Sequence, residues 1–353
     1  MIAQPRPKVQ PWARPNREKT LWVSVASVLP ALLGVGLAFA LQLPFAVALI
    51  VFFLPIQLVA AIAVGIRFAK IKGAKDAVLT VFVVFFTALV FVLLLSVLES
   101  VFTRGLPTVS AHFLYQNNRY ISTTTSLEYG GVGHAILGSL LVVLITTILA
   151  VPLGLLIGVY LTTSQSKMRN LVRSFTQALS GLPSVVSGLF VLAAMSYFGF
   201  SERTGFTGAL ALFPLMLPTV ARVAEESLRL VPQDLRWAAL GLGAPNYRAF
   251  FQVILPAAKT GIMTAVLLGI ARIIGETAPL LLTMSTTNGT NLNPFSGALT
   301  TLPTFIYGFL NAGYSSSIAR SWGAAVVMLL LVAIIFISAR VITRKPSGKG
   351  KGK

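Results

Sequence analysis

Two oppositely charged residues stand four positions apart in an otherwise apolar stretch of the sequence. At that spacing Arg272 and Glu276 would share one face of a helix. A charge at the centre of a membrane helix costs on the order of 3 kcal/mol, so such residues usually face a bundle interior or a water-filled cavity. A guanidinium offers a planar fork of donors that matches an oxyanion, and Glu276 could neutralise it when no anion is bound. The pair therefore predicts a path for a hydrated oxyanion. The alternative is an intrahelical salt bridge that stabilises the bundle.

Helix-breaking residues accompany this pair. Pro279 has no N–H for the carbonyl of Gly275, so we expect these two residues to loosen the helix beside Glu276. Pro183 is expected to act similarly in another span, although a packing kink is the commoner role of a membrane proline. Arg222, near the cytoplasmic end of a third span, either reaches lipid headgroups or forms an inner station for the anion.

The composition requires a membrane to position these residues. Of 353 residues 56% are hydrophobic and only 10% charged, whereas soluble domains have roughly a quarter charged residues. The mean hydropathy of +0.84 calls for several apolar spans of about 20 residues. The absence of cysteine excludes disulfides, thiolate metal sites and cysteine nucleophiles. We predict an all-α polytopic membrane protein with eight transmembrane helices at 21–41, 44–66, 77–98, 135–161, 171–198, 206–223, 256–283 and 322–342.

The formal charge of +19 is explained by topology. With a cytoplasmic amino terminus, most of the 28 lysines and arginines fall in cytoplasmic segments, as the positive-inside rule requires. Contact with anionic inner-leaflet lipid then accounts for the basic excess, and nucleic-acid binding is not expected. We therefore predict that both termini, including basic tails at 1–20 and 343–353, are cytoplasmic.

The connection 224–255 contains a helix signal. Pro232 fits a first helical turn, Asp234 lies at the positive end of the helix dipole, and the helix should stop near Gly243 because Pro245 follows. The residues that share one face are Leu235, Ala238, Ala239 and Leu242. We expect a short amphipathic helix on the cytoplasmic side, followed by a second helical stretch at 246–254.

This connection resembles the EAA signature of bacterial ABC importer permeases. The matching residues are Trp237-Ala238-Ala239, Gly243 after three intervening residues and, after nine more, Val253-Ile254-Leu255-Pro256. In that family the loop forms a coupling helix that docks onto an ATPase subunit. Trp237 replaces the signature glutamate, and Asp234 or Arg236 could supply an ion pair nearby.

A narrower resemblance is to the PstA-type permeases of phosphate-specific transport. It rests on Ala271-Arg272-Ile273-Ile274-Gly275-Glu276-Thr277-Ala278-Pro279-Leu280-Leu281 and on similar segments at 181–189, 225–232 and 302–307. The resemblance implies a type I importer core of six helices at 77–342, with two extra amino-terminal spans within 21–76. It also implies that the chain lies in a bacterial cytoplasmic membrane and has three kinds of partner besides the lipid: a homologous PstC-type permease, two PstB-type ATPase subunits, and an external PstS-type phosphate-binding protein.

The sequence contains no Gly-x4-Gly-Lys-Ser/Thr motif, so the chain lacks a P-loop. We therefore expect no enzymatic activity and no cofactor in this chain, with ATP and Mg²⁺ used by the partner ATPase. The predicted function is phosphate import by alternating access. The alternatives are a permease for sulfate or molybdate, a gradient-driven secondary transporter, whose halves should show a repeat that is not apparent here, and a structural scaffold.

Overall fold

A computed structural model of the chain describes residues 17–42, 47, 49–200 and 202–343. Within these ranges all regular secondary structure is helical, which confirms the predicted all-α class. The chain divides into two compact units, Met1–Leu98 and Glu99–Lys353. Residues 1–16 and 344–353 of the predicted basic tails lie outside the described residues, and α1 begins at Arg17, inside the first of those tails.

The first unit contains α1 (Arg17–Ala40), a π-helical turn at Leu49–Phe53 and most of α2 (Leu54–Gly105). Helix α2 is interrupted at Ala69 and Lys70, where Lys70 has a φ of +53°. The chain turns back there, and this turn brings the backbones of Gly65 and Gly73 into contact. Two glycines allow this close approach. Apart from Ala69 and Lys70, the segment 67–76 between the second and third predicted spans is helical.

The second unit begins with the last turns of α2 and a 3₁₀ turn at Leu106–Thr108. Its other helices are α3 (Ala111–Tyr115), α4 (Gly133–Thr163), α5 (Met168–Ser180), α6 (Ser184–Tyr197), α7 (Gly205–Arg229), α8 (Gln233–Gly241), α9 (Asn246–Ala257, with a π-helical turn at Ala249–Ile254), α10 (Lys259–Ile274), α11 (Ala278–Thr283), α12 (Leu302–Asn311) and α13 (Ser315–Thr343).

Helix α7 is the centre of the second unit. It packs against α4, α5, α6, α10 and α11. Gly154 and Gly158 let α4 approach it closely, since a Cβ on either would lie 2.9 Å from a side-chain carbon of α7. Leu212, Leu215 and Met216 are fully buried in the resulting core. These residues form a closely packed core at the centre of the unit.

Two predicted spans are not single helices. Helices α5 and α6 meet at 106° within the predicted span 171–198. Helices α9 and α10 meet at 68° where the predicted span 256–283 begins, and that span is interrupted again between α10 and α11. Pro183 explains the first bend, because its ring disfavours helical geometry at Leu182 and its own ψ is 135°. Five described segments could cross a membrane by length and apolarity, or seven if each bent pair forms one span. The count of eight stays a prediction.

A buried arginine fixes the loop between α3 and α4. Arg320 of α13 is inaccessible to solvent. Its Nη2 lies 2.8–3.0 Å from three backbone carbonyl oxygens, those of Thr125, Ser126 and Tyr129. This contact attaches the loop to α13 and adds to the hydrogen bonds within the loop itself.

Candidate functional site

The predicted Arg272–Glu276 helix is broken between its two charged residues. Helix α10 ends at Ile274, Gly275 caps it, and Glu276 and Thr277 are non-helical before α11 begins at Ala278. The expectation that the two charges share one helix face is therefore wrong. Pro279 lies in the first turn of α11, where a missing N–H costs nothing, so it starts a new helix rather than kinking an old one.

Arg272 projects from the last turn of α10 and is exposed in this chain. Its Nε donates to the backbone carbonyl of Leu215 on α7 at 3.3 Å. Within the described residues, the two terminal nitrogens of this guanidinium have no hydrogen-bond partner. The arginine is thus anchored at its inner nitrogen and presents its fork outward.

Glu276 is half-buried in the break, and its backbone N–H donates to Ile273 at 3.2 Å. Over the described ranges no group donates to its carboxylate, and no ion pair within 4.0 Å joins it to Arg272. A cation and an anion therefore lie close in sequence, each with unused hydrogen-bonding capacity. This arrangement can bind an oxyanion at the guanidinium.

The first turns of α6 reach the same part of α7. Ser187 is buried, and its hydroxyl donates to the carbonyl of Ala211 at 2.6 Å. Ala211 and Leu215 are one turn apart on α7, so Ser187 and Arg272 contact consecutive turns of one helix. Sequence reasoning gave Ser187 no role; a hydroxyl beside a glycine in an apolar helix was the available signal.

Gly188 connects α6 to the broken helix. A Cβ at this position would lie 2.8 Å from Cα and 3.1 Å from the carbonyl oxygen of Pro279. The start of α6 is thus packed directly on the first turn of α11, next to the break that contains Glu276. Pro183, the N-cap of α6, sets the direction in which that helix leaves α5.

Arg222 lies apart from this cluster. It is seven residues beyond Leu215 on α7, about 10 Å along the helix axis. Its side chain is 73% exposed, and its Nε donates to Glu226 Oε1 at 3.2 Å. The structure gives Arg222 an intrahelical partner rather than a contact with the break.

The helix predicted in the 224–255 connection is confirmed as α8, Gln233–Gly241, with Asp234 in its first turn. It ends in a Schellman motif: Gly243 has a φ of +82°, its N–H donates to Leu240, and that of Ala244 donates to Ala239. None of the α8 residues is buried, and Trp237 is 63% exposed. Trp237 and Ala238 therefore lie on a capped, rigid helix that this chain leaves uncovered.

The sequence of this chain is similar to those of known membrane transport proteins. Residues 150–348 match the family model described as binding-protein-dependent transport system inner membrane component. The phosphate transport system permease protein PstA 1 of Mycobacterium tuberculosis is 41% identical over 215 residues, which are 60% of this chain and 70% of that protein. The PstA protein of Mycobacterium leprae is 36% identical over 283 residues, 79% of this chain and 90% of the relative. A permease chain of the MetNI methionine ABC transporter in an inward-facing conformation is similar with a TM-score of 0.48 and 18% identity, over 61% of this chain and 95% of that one.

Proposed function

We propose that this chain, which belongs to the family of binding-protein-dependent transport system inner membrane components and within it to the PstA-type permeases, conducts inorganic phosphate into the cell. It is a multi-pass membrane protein and a subunit of an ABC transporter. The proposal extends to its orientation, with both termini in the cytoplasm of a bacterial cell whose inner membrane it spans. The positive-inside distribution of lysine and arginine supports this orientation.

The observation that carries the proposal is the outward-facing fork of Arg272. An exposed guanidinium in the last turn of α10, beside the break and within an apolar stretch of the sequence, must be covered by water or by a partner, because lipid solvates it poorly. Its terminal nitrogens are available, and a planar fork suits a tetrahedral oxyanion. We propose that Arg272 and Glu276 line an aqueous path shared with a homologous PstC-type permease. The carboxylate limits how tightly phosphate is held, and conduction requires weak, exchangeable binding.

The second element of the proposal is that α8 receives the motion of a separate ATPase. We propose that α8 seats in a cleft of one of two PstB-type subunits, and that an external PstS-type protein delivers phosphate on the other side. Its lack of buried residues and its capped end support this role, since a rigid uncovered helix can transmit displacement to α7 and α9.

The substrate is tested in vesicles that contain the full complex. The vesicle lumen, which α8 faces, contains ATP, and the binding protein is added outside. Radiolabelled phosphate should accumulate in the lumen, and sulfate and molybdate should not. Omitting ATP supplies the control, because a gradient-driven carrier would still work. Accumulation of sulfate without phosphate would assign the chain to the other oxyanion permeases.

The docking role is tested by copurification in mild detergent. Ala239→Glu places a charge on the face of α8 that we propose docks onto the ATPase, so it should release the ATPase. Asn311→Glu at the end of α12 should leave the ATPase bound. Retention of the ATPase by the Ala239→Glu complex would contradict docking through α8.

A further inference from the structure

Glu225 forms an ion pair between two helices close to α8. Its carboxylate Oε1 accepts from Arg173 Nη2 at 2.5 Å and from Arg229 Nη2 at 2.6 Å. Arg229 is on α7, as is Glu225, but Arg173 is on α5. The Glu225 side chain is only 12% exposed. One largely buried carboxylate therefore holds the middle of α5 and the last turns of α7 together.

The neighbouring glutamate provides an internal comparison. Glu226 pairs with Arg222 on the same helix, and both side chains are more than half exposed, at 61% and 73%. Exposed pairs of this kind contribute little, because water screens them and long side chains must be ordered. Glu225 differs in being largely buried and in bridging two helices. Its removal breaks the contact between α5 and α7, while Arg173 and Arg229, 33% and 48% exposed, remain partly solvated.

Glu225 lies on a continuous series of contacts. On one side α7 ends at Arg229, and Pro232 begins α8 three residues later. On the other side α5 leads through the 106° bend into α6, whose Gly188 packs on Pro279. Pro279 opens α11 directly after the break that contains Glu276. The ion pair thus connects the candidate docking helix α8 to the candidate anion path through α5 and α6. A second connection runs along α7 itself, whose Leu215 carbonyl accepts from Arg272.

We propose that Glu225 is a positioning residue that couples displacement of α8 to movement of α5, α6 and the Gly275–Thr277 break. This inference rests on the proposed function, because it assigns the displacement of α8 to the ATPase. The Glu225–Arg173 pair keeps α5 attached while α7 moves, so that α6, which follows α5 and packs on α11 beside the break, shifts together with α7. Without Glu225, α8 still docks and ATP is still hydrolysed, but α5 and α6 no longer follow.

The test compares two adjacent substitutions in the full complex, Glu225→Gln and Glu226→Gln. Both remove one carboxylate charge and keep nearly the same shape. In vesicles we measure the phosphate transported per ATP hydrolysed, and in detergent the amount of intact complex recovered. Glu225→Gln should lower the transport ratio about five-fold while recovery and ATP hydrolysis stay near wild type. Glu226→Gln should leave the ratio unchanged.

Arg173→Gln supplies the second arm, because it breaks the same contact from the α5 side. It should lower the ratio as Glu225→Gln does, and the double variant should be no worse than either single one. If Glu225→Gln does not assemble, Arg173→Gln alone gives the ratio. A wild-type ratio in both single variants, or an equal fall in Glu226→Gln, would overturn the proposal. A wild-type complex that moves sulfate instead of phosphate would refute the proposed substrate, and the coupling ratio would then be measured with sulfate.

Discussion

Gly188→Ala should displace α11 and impair transport. The added Cβ would lie 2.8 Å from Cα of Pro279, 3.1 Å from its carbonyl oxygen and 3.3 Å from Leu282 Cδ1. Two of these atoms belong to the backbone, so rotation of a side chain cannot make room. To restore ordinary contact at 3.4 Å, α6 and α11 must separate by about 0.6 Å. Overpacking of this kind costs about 1–3 kcal/mol.

Thermal unfolding of the complex in detergent and phosphate uptake in vesicles measure the two consequences. We expect a lower unfolding midpoint and slower uptake, because α11 carries the break away from Arg272 as it moves. Gly308→Ala in α12 is the matched control, since nothing lies within 4 Å of its Cβ. It should raise the midpoint or leave it unchanged, because alanine favours a helix interior by about 1 kcal/mol. A Gly188→Ala complex with the wild-type midpoint and uptake would refute the close packing of α6 on α11.

Three further substitutions test individual contacts. Arg272→Lys keeps the charge but loses the fork of donors, so phosphate uptake should fall about ten-fold; full uptake would remove the argument from bidentate geometry. Among the described residues, Arg320 is the only one whose side chain reaches the Thr125, Ser126 and Tyr129 carbonyls. Arg320→Met should therefore accelerate amide hydrogen exchange in that loop about ten-fold, while exchange in α7 stays slow. His134 is 97% buried against Phe305, and neither ring nitrogen has a partner in the part of the chain that the structure describes. His134→Leu should therefore change the free energy of unfolding by no more than about 1 kcal/mol. A larger loss would reveal an essential polar contact.

Local signals in the sequence were sufficient for α8. Pro232, Asp234 and Gly243 act within a few residues of the helix they delimit, and the structure places the helix end and its Schellman motif where those residues require. Apolar windows likewise identified the long helices, because burial in lipid depends on composition more than on partners.

The two breaks were harder to predict, because the same residues fit two local structures. Pro279 is compatible with a kink inside a long helix and with the first turn of a new one, and the spacing of Arg272 and Glu276 favoured the first. Packing decides between them: Gly188 holds Pro279 close to α6, which fixes α11 as a separate helix. Pro183 was expected to loosen its span, but the size of the bend there depends on how α6 packs against α7 and α11.

Contacts between distant residues could not be obtained from one sequence. Nothing in the local pattern pairs Glu225 with Arg173, or directs Arg272 Nε to the Leu215 carbonyl. Both depend on how α5 and α10 pack against α7. The chemical types of the residues were therefore predictable, whereas their partners required the folded structure.

The central claim, that the break beside Arg272 opens onto a water-filled phosphate path, is tested most directly by cysteine labelling. The chain has no natural cysteine, so Thr277→Cys introduces a single thiol into it, within the break. In vesicles that contain the full complex, with partner subunits free of reactive cysteine, this thiol is exposed to an anionic, water-soluble methanethiosulfonate during ATP turnover. We predict rapid labelling that phosphate slows about ten-fold and sulfate does not. Labelling by a lipid-soluble maleimide alone, or a rate that phosphate leaves unchanged, would contradict the account.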